Sequence, residues 1–335
     1  MGDASLNAMA APEFLRKVLW AVDAFMVPGS LWTQTLRSLK ALAEKNPGVL
    51  IQPIYVLSPP QLNLSVEFGS PILHPYEPAA QKALEQLFLE VKIKQLARPK
   101  ILTLNLNSTL QVVKALSSLA LELDADLLVV STHGRAGLKR LLLGSFAETL
   151  LYHSKVPVWV VSERMKRALD FKHLLFPTDF GVTARMAFRY AVGLANSWGA
   201  RLTLFHAIPH PIEPVLQSGV YLLGGGWIPI QAYFNREVER RTRHAERWAA
   251  WSRQQGVETE VVVDPEGMGL SERIITLASK RRSSVIIMEA ESGPVTAALI
   301  GSITRNVLRG ADCPVLVLRA GRLEHSERSR LPRAA

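Results

Sequence analysis

The chain repeats itself, and the repeat limits what it can fold into. Gly144-Ser145-Phe146, followed by Lys155-Val156-Pro157-Val158-Trp159-Val160-Val161, returns as Gly301-Ser302-Ile303, followed by Asp312-Cys313-Pro314-Val315-Leu316-Val317-Leu318. The glycine and proline offsets, 301 − 144 and 314 − 157, both equal 157. Near the start of each half, Lys17-Val18-Leu19-Trp20-Ala21-Val22-Asp23 parallels His173-Leu174-Leu175-Phe176-Pro177-Thr178-Asp179, with 179 − 23 = 156. A near-constant offset marks duplication of one unit. The join falls in the polar stretch 162–170, with Glu163, Arg164, Lys166 and Arg167. The expected layout is a tail over 1–14, domains over 15–163 and 171–320, and a basic tail over 321–335.

Within each half, short β-branched runs alternate with longer helical patterns, the signature of βαβ units and a parallel sheet. The first half reads as strands at 17–23, 50–57, 100–105, 127–132 and 157–162, with helices near 31–44, 77–98, 108–123 and 144–153. The second reads as strands at 173–178, 201–208, 258–264, 284–289 and 314–319, with helices near 182–198, 233–255, 271–282 and 301–309. Ser108 and Ser271 stand at expected helix N-caps. Leu127-Leu128-Val129-Val130 and Val285-Ile286-Ile287-Met288 are apolar on both faces, as buried parallel strands are. The expected fold class is α/β: two tandem, doubly wound, five-stranded parallel sheets. In such sheets ligands bind beyond the carboxyl ends of the strands, at the switch point, which directs attention to the residues just after each strand.

Composition narrows the functional classes. Hydrophobic residues make up 48% and charged residues 20% of the 335, enough for a real core in each half. One cysteine, Cys313, excludes an internal disulfide framework and suits a reducing, cytoplasmic setting; it reads as a buried apolar filler. The N-terminus lacks the pattern of a signal peptide, and no apolar run reaches the ~18 residues of a membrane span. The net charge of +10 is concentrated in 236–253 and 319–333. The first stretch alternates Arg240, Arg241, Arg243 and Arg247 with Glu237, Glu239 and Glu246, and reads as a solvated, ion-paired helix face. No aromatic-interleaved basic strand is visible, so nucleic acid is not an expected partner.

After the fourth strand, Ser131-Thr132-His133-Gly134-Arg135-Ala136-Gly137 leads through Lys139 and Arg140 to Gly144-Ser145, which open a helix. Glycine lets backbone approach an anion, and a helix N-terminus offers free N–H groups to phosphate. Asp23, ending the first strand, can accept hydrogen bonds from a ribose hydroxyl or an adenine amine. The same residues also have structural readings: turn glycines, a loop-capping Asp23, a structural His133.

Gly134, nine residues, then Gly144-Ser145, behind a strand and before a helix, resembles the loop of the universal stress protein family, over residues 15 to 320. Ser131 stands where the family pattern places a first glycine. The resemblance implies an adenine nucleotide alpha hydrolase-like fold and one ATP site built from Asp23, Val56, Ser131, His133, Gly134, Gly144, Ser145 and Phe146. It implies halves that pair as a pseudo-dimer through strands 157–162 and 314–319, and at most slow ATP hydrolysis, with no catalytic residue assigned. A further homodimer and an unidentified protein partner stay open.

In the second half Asp179, Gly301 and Ser302 are retained, but position 291, ten before Gly301, is glutamate. Glu289 and Glu291 place carboxylates where a polyphosphate would lie. Like charges ~4 Å apart near a surface repel by ~4 kcal/mol at a dielectric of about 20. This second site is expected to be degenerate. No metal-ligand spacing is visible; His206 and His210 span a strand end and a proline and read as structural. The long apolar segment 209–232 allows three readings: packing on its own protein, a lid over an apolar small molecule or lipid intermediate, or shallow membrane contact. An apolar-ligand carrier with a vestigial nucleotide site is therefore the alternative function.

Overall fold

A computed structural model of the chain describes residues 14–62, 73–132, 144–181, 183–208, 220–221, 227–228, 230–265, 269–290 and 301–319. The first half contributes β1 (Lys17–Ala21), α1 (Ser30–Lys45), β2 (Leu50–Leu57), the short α2 (Pro59–Leu62), α3 (Glu77–Phe88), β3 (Lys100–Thr103), α4 (Thr109–Glu122), β4 (Leu127–Ser131), α5 (Ser145–His153) and β5 (Val158–Val161). The second contributes β6 (His173–Pro177), α6 (Ala184–Trp198), β7 (Arg201–Ala207), β8 (Val220–Tyr221), β9 (Trp227–Ile228), α7 (Ile230–Gln254), β10 (Thr259–Asp264), α8 (Leu270–Lys280), β11 (Val285–Glu289), α9 (Ser302–Gly310) and β12 (Val315–Leu318).

Each expected strand forms, and the two units share one sheet. Its order is β10-β7-β6-β11-β12-β5-β4-β1-β2-β3. Each half has the doubly wound order in which the chain starts centrally, winds outward through β1-β2-β3, and returns to the other side through β4 and β5. Within this sheet the pairing is parallel, except where β12 meets β5 antiparallel. There Val315 faces Val160, Leu316 faces Trp159 and Val317 faces Val158. Trp159 and Leu316 are repeat equivalents, so the junction is centred on one repeated position.

Burying both faces of the sheet requires two helical layers. Leu39 and Leu42 of α1, Leu84 of α3, Phe188 of α6 and Ala245 of α7 cover one face. Leu116 of α4, Leu150 of α5, Ile274 of α8 and Val307 of α9 cover the other. Ala245 and Ala249 are fully buried, and their small side chains let α7 lie close to the sheet. The joining stretch is polar in sequence, yet it buries Met165, and Phe171 directly after it is buried too. Arg167 pins it by donating to Asp312 Oδ2 (2.6 Å) and Ser279 Oγ (2.6 Å).

The structure corrects the sequence reading at three element ends. The helix expected over 77–98 stops at Phe88. Ile51 N–H instead donates to Gln95 O (2.9 Å), and Ala97 N–H to Ile51 O (2.8 Å), so this later segment lines the edge of β2. Ser271 is not a cap: α8 begins at Leu270, and Gly269 precedes it at φ +70°, a region that favours glycine. The helix read as 233–255 starts earlier, at Ile230. Ser108 does occupy the N-cap of α4, with extended backbone.

Candidate functional site

The switch point of the first half lies between β1 and β4, and a cleft opens there at their carboxyl ends. It encloses about 640 Å³, part of it open to solvent. Ile54, Val56, Val130, Phe146 and Ala147 supply apolar walls, while Asp23, Gln61, Ser131 and Thr132 bring polar atoms. Gly144 stands at the base of α5. Of the residues singled out by sequence, the structure thus gathers Asp23, Val56, Ser131, Gly144 and Phe146 around one cavity. Ser145 begins α5 beside them. His133 and Gly134 lie outside the described residues.

Local bonding fixes each group. Asp23 Oδ1 accepts from Phe25 N–H (3.0 Å), so the carboxylate closes its own turn as well as facing the cleft. Thr132 N–H donates to Val161 O (2.9 Å), extending β4 by one residue. Gly144 N–H then donates to Thr132 O (2.8 Å), which closes the base of the connection over 133–143. A Cβ at Gly144 would sit 3.2 Å from that same oxygen, so the glycine allows a close approach. Glu148 N–H returns to Gly144 O (2.9 Å), the first helical bond of α5. The N–H groups of the first turn ahead of it have no acceptor within the helix and carry its positive dipole end.

Ser131 has a defined role. Its Oγ lies 2.9 Å from Thr35 Oγ1, and Thr35 Oγ1 donates its single proton to Leu31 O (2.8 Å). Thr35 must therefore accept, and Ser131 donates. The serine that replaces glycine is tied to α1. Thr132 and Gln61 were missed by sequence reasoning. Thr132 follows the last strand residue and could have been found by the switch-point rule; Gln61 sits on α2, after Pro59-Pro60, and no sequence signal marked it.

The second half is built differently at the same place. Asp179 repeats the turn of Asp23, with Gly181 N–H donating to Asp179 Oδ1 (2.7 Å). The residue after it is Phe180, where the first half has Ala24. Phe180 adopts φ +62°, unusual for a bulky residue. Its ring packs against His206 (centroids 4.8 Å), His244 (4.6 Å) and Trp248 (5.1 Å). Gly301 caps α9 and Ser302 begins it, as Gly144 and Ser145 do for α5. Glu289 ends β11. Glu291 lies outside the described residues, as does His210. Among the described residues, no group of three or more His, Cys, Asp or Glu is placed to hold a metal ion.

His206 is 5% exposed, and its Nδ1 lies 2.7 Å from Thr178 O. A carbonyl only accepts, so Nδ1 carries the proton in the neutral ring. Burial pushes its pKa below the usual histidine value, opposed by the bond to Thr178. The unfolded imidazole titrates near ~6.5. As pH falls below that value the unfolded chain takes up the proton first, and stability drops until the folded ring also titrates. We expect the urea midpoint to fall between pH 7.5 and 5.5, and to fall less in His206→Gln. An equal fall in both proteins would remove His206 as a source. His173, buried and likewise depressed mainly by burial, supplies a second contribution of the same sign.

Comparison with known proteins agrees with this architecture. The universal stress protein family model matches residues 15–162 and again 170–319. A universal stress protein of Mycolicibacterium smegmatis is 28% identical over 199 residues, covering 58% of this chain and 62% of that protein. The match thus spans less than two thirds of that relative's own length. One from Methanocaldococcus jannaschii is 24% identical over 160 residues, covering 46% of this chain and 85% of its own. The crystal structure of a universal stress protein from Archaeoglobus fulgidus superimposes with a TM-score of 0.58, covering 92% of this chain and 97% of that one. At 18% identity it speaks for the fold alone. Two family matches in sequence, on the two halves of one ten-stranded sheet, place the chain in the universal stress protein family, as a tandem member.

Proposed function

We propose that the first half binds one adenine nucleotide, ATP, and that the second half does not bind it in the same manner. The observation that carries this reading is the cleft at the β1–β4 switch point. Its lining brings together the Asp23 carboxylate, apolar side chains and Gly144 at the N-terminus of α5. A flat heteroaromatic ring suits the walls, sugar hydroxyls suit an acceptor carboxylate, and phosphates suit free helix N–H groups. His133, Gly134 and Ser145 complete the phosphate side in this reading. In the second half, the Phe180 cluster and the carboxylates Glu289 and Glu291 argue against a nucleotide.

The chain then acts in the cytoplasm as a stress-response sensor or regulator, with its halves held as an intramolecular pseudo-dimer. The β5–β12 pairing supports that arrangement. Nucleotide occupancy biases a surface that a protein partner reads. The domain limits 15–163 and 171–320 follow from the repeat, with tails over 1–14 and 321–335. The apolar-carrier alternative rests on 209–232, of which the backbone of the β8–β9 ribbon is described.

Calorimetric titration of the full chain with ATP, preceded by mass spectrometry of the denatured supernatant, tests the reading. One equivalent per chain is expected. Two equivalents would overturn the degenerate second half. No nucleotide and a co-purified apolar molecule would transfer the function to 209–232.

A further inference from the structure

Helix α5 leads into β5 and α9 into β12, the two strands that join the halves. The first turn of α5 holds Glu148, and that of α9 holds Arg305. Arg305 Nη2 pairs with Glu148 Oε1, so the contact crosses from one half to the other. The two side chains are 27% and 35% exposed, which withdraws part of the pair from screening by water and salt. Arg305 gains nothing from its own helix: a cation in a first turn faces the positive end of the dipole, which is unfavourable. Its Nε–H is buried and meets no acceptor among the described residues. Among those residues, Glu148 is the carboxylate that holds it.

Glu148 lies close behind the helix end that faces the first-half cleft. It follows Gly144, which lines the cleft, by four residues, and so stands one turn on along the same helix face. From Ser145 to Glu148 the helix rises only about 4.5 Å, and helical side chains lean back toward the N-terminus and its free N–H groups. Neither Glu148 nor Arg305 is among the described residues that line the cleft. Their effect on a ligand there is therefore through charge and not through contact. While paired, the two charges largely cancel at a distance. Unpaired, Glu148 would set a negative charge behind the donors that a phosphate needs, and would compete for them.

We propose that Arg305 is a positioning residue for nucleotide binding in the other half: by holding Glu148 it keeps the N-terminus of α5 open and positive for phosphate. The proposal rests on the nucleotide reading of the first-half cleft, and adds to it a control exerted by the second half. By linkage, bound ATP favours the closed ion pair by the same factor that the pair favours ATP.

Calorimetric titration of the full chain with ATP, and displacement of ATP by adenosine, test it. Arg305→Gln should weaken ATP on the order of tenfold, the scale of one partly screened charge about a turn away. Adenosine, which carries no phosphate, should keep its affinity. Arg305→Lys should retain most of the ATP affinity. Glu148→Gln, which leaves Arg305 unopposed, should tighten ATP, and the double variant should return close to wild type. The gap between wild type and Arg305→Gln should narrow as salt is raised, because the effect is one of charge. Should Arg305→Gln fail to fold, the tightening in Glu148→Gln decides. An equal loss for ATP and adenosine would mean that the variant distorts the cleft, and would overturn the proposal. So would unchanged ATP affinity in either single variant. A wild-type chain that binds no ATP would instead remove the nucleotide reading itself, and this proposal with it.

Discussion

Gly144→Asp is expected to lower ATP affinity about 1000-fold while leaving the thermal midpoint unchanged or slightly raised. The backbone at Gly144, φ −62° and ψ 145°, is open to any residue, so no left-handed strain arises. The new Cβ would meet Thr132 O at 3.2 Å, so this backbone oxygen must give by a few tenths of an ångström. Aspartate is also among the best N-cap residues, because its carboxylate accepts from the first-turn N–H groups. The same carboxylate would occupy the donors that phosphate needs and repel it. Two charges ~4 Å apart at a dielectric of about 20 cost ~4 kcal/mol, about three decades in affinity. Gly144→Ala, which adds bulk without charge, should lose far less. Calorimetry and thermal unfolding on the same preparations separate the two effects. A folded aspartate variant that keeps wild-type affinity would refute the cleft as the nucleotide site.

The largest stability loss is expected at the seam between the halves. Trp159 is fully buried, stands opposite Leu316 at the centre of the β5–β12 pairing, and packs against Phe171 and Trp198. Its Nε1–H donates to Ser38 Oγ (2.8 Å), itself buried on α1. Trp159→Ala removes this packing and opens a cavity, at about 3–5 kcal/mol. It also strips Ser38 of its partner, adding about 1 kcal/mol. Trp159→Phe keeps most of the apolar area and should cost roughly half as much. Equilibrium denaturation followed by both tryptophan fluorescence and far-ultraviolet circular dichroism measures the change. Separation of the two transitions would show that the halves had been uncoupled. A loss under about 1 kcal/mol in the alanine variant would mean that the seam does not hold the sheet together.

Much of this architecture is legible in the sequence because it is written locally. Val285-Ile286-Ile287-Met288 is a buried strand by its own composition, and Gly144-Ser145 marks a helix start by its own chemistry. The 157-residue offset adds topology, since two copies of a βαβ unit give two sets of five strands. What the sequence hides depends on residues far apart. That Ser131 turns to α1 depends on Thr35, 96 positions away. The crowding at the second switch point joins Phe180 after β6 with His206 on β7 and His244 on α7, three elements whose meeting no local pattern encodes. Phe88 ends α3 because the following residues find partners along β2, a choice made by the sheet edge and not by helix propensity.

Glu148 on α5 and Arg305 on α9 form an ion pair across the two halves. They stand 157 positions apart, so each occupies the other's place in the repeat. In an assembly of two identical subunits such a place would meet its own copy, glutamate against glutamate or arginine against arginine, and either would repel. Covalent fusion lifts that restriction: one copy can become acidic and the other basic, each change favourable only in the presence of the other. The halves have thereby ceased to be interchangeable. The same loss of equivalence lets the residue after the first strand's aspartate differ between the halves, Ala24 in one and in the other Phe180, packed on His206, His244 and Trp248, a difference closed to identical subunits encoded by one sequence.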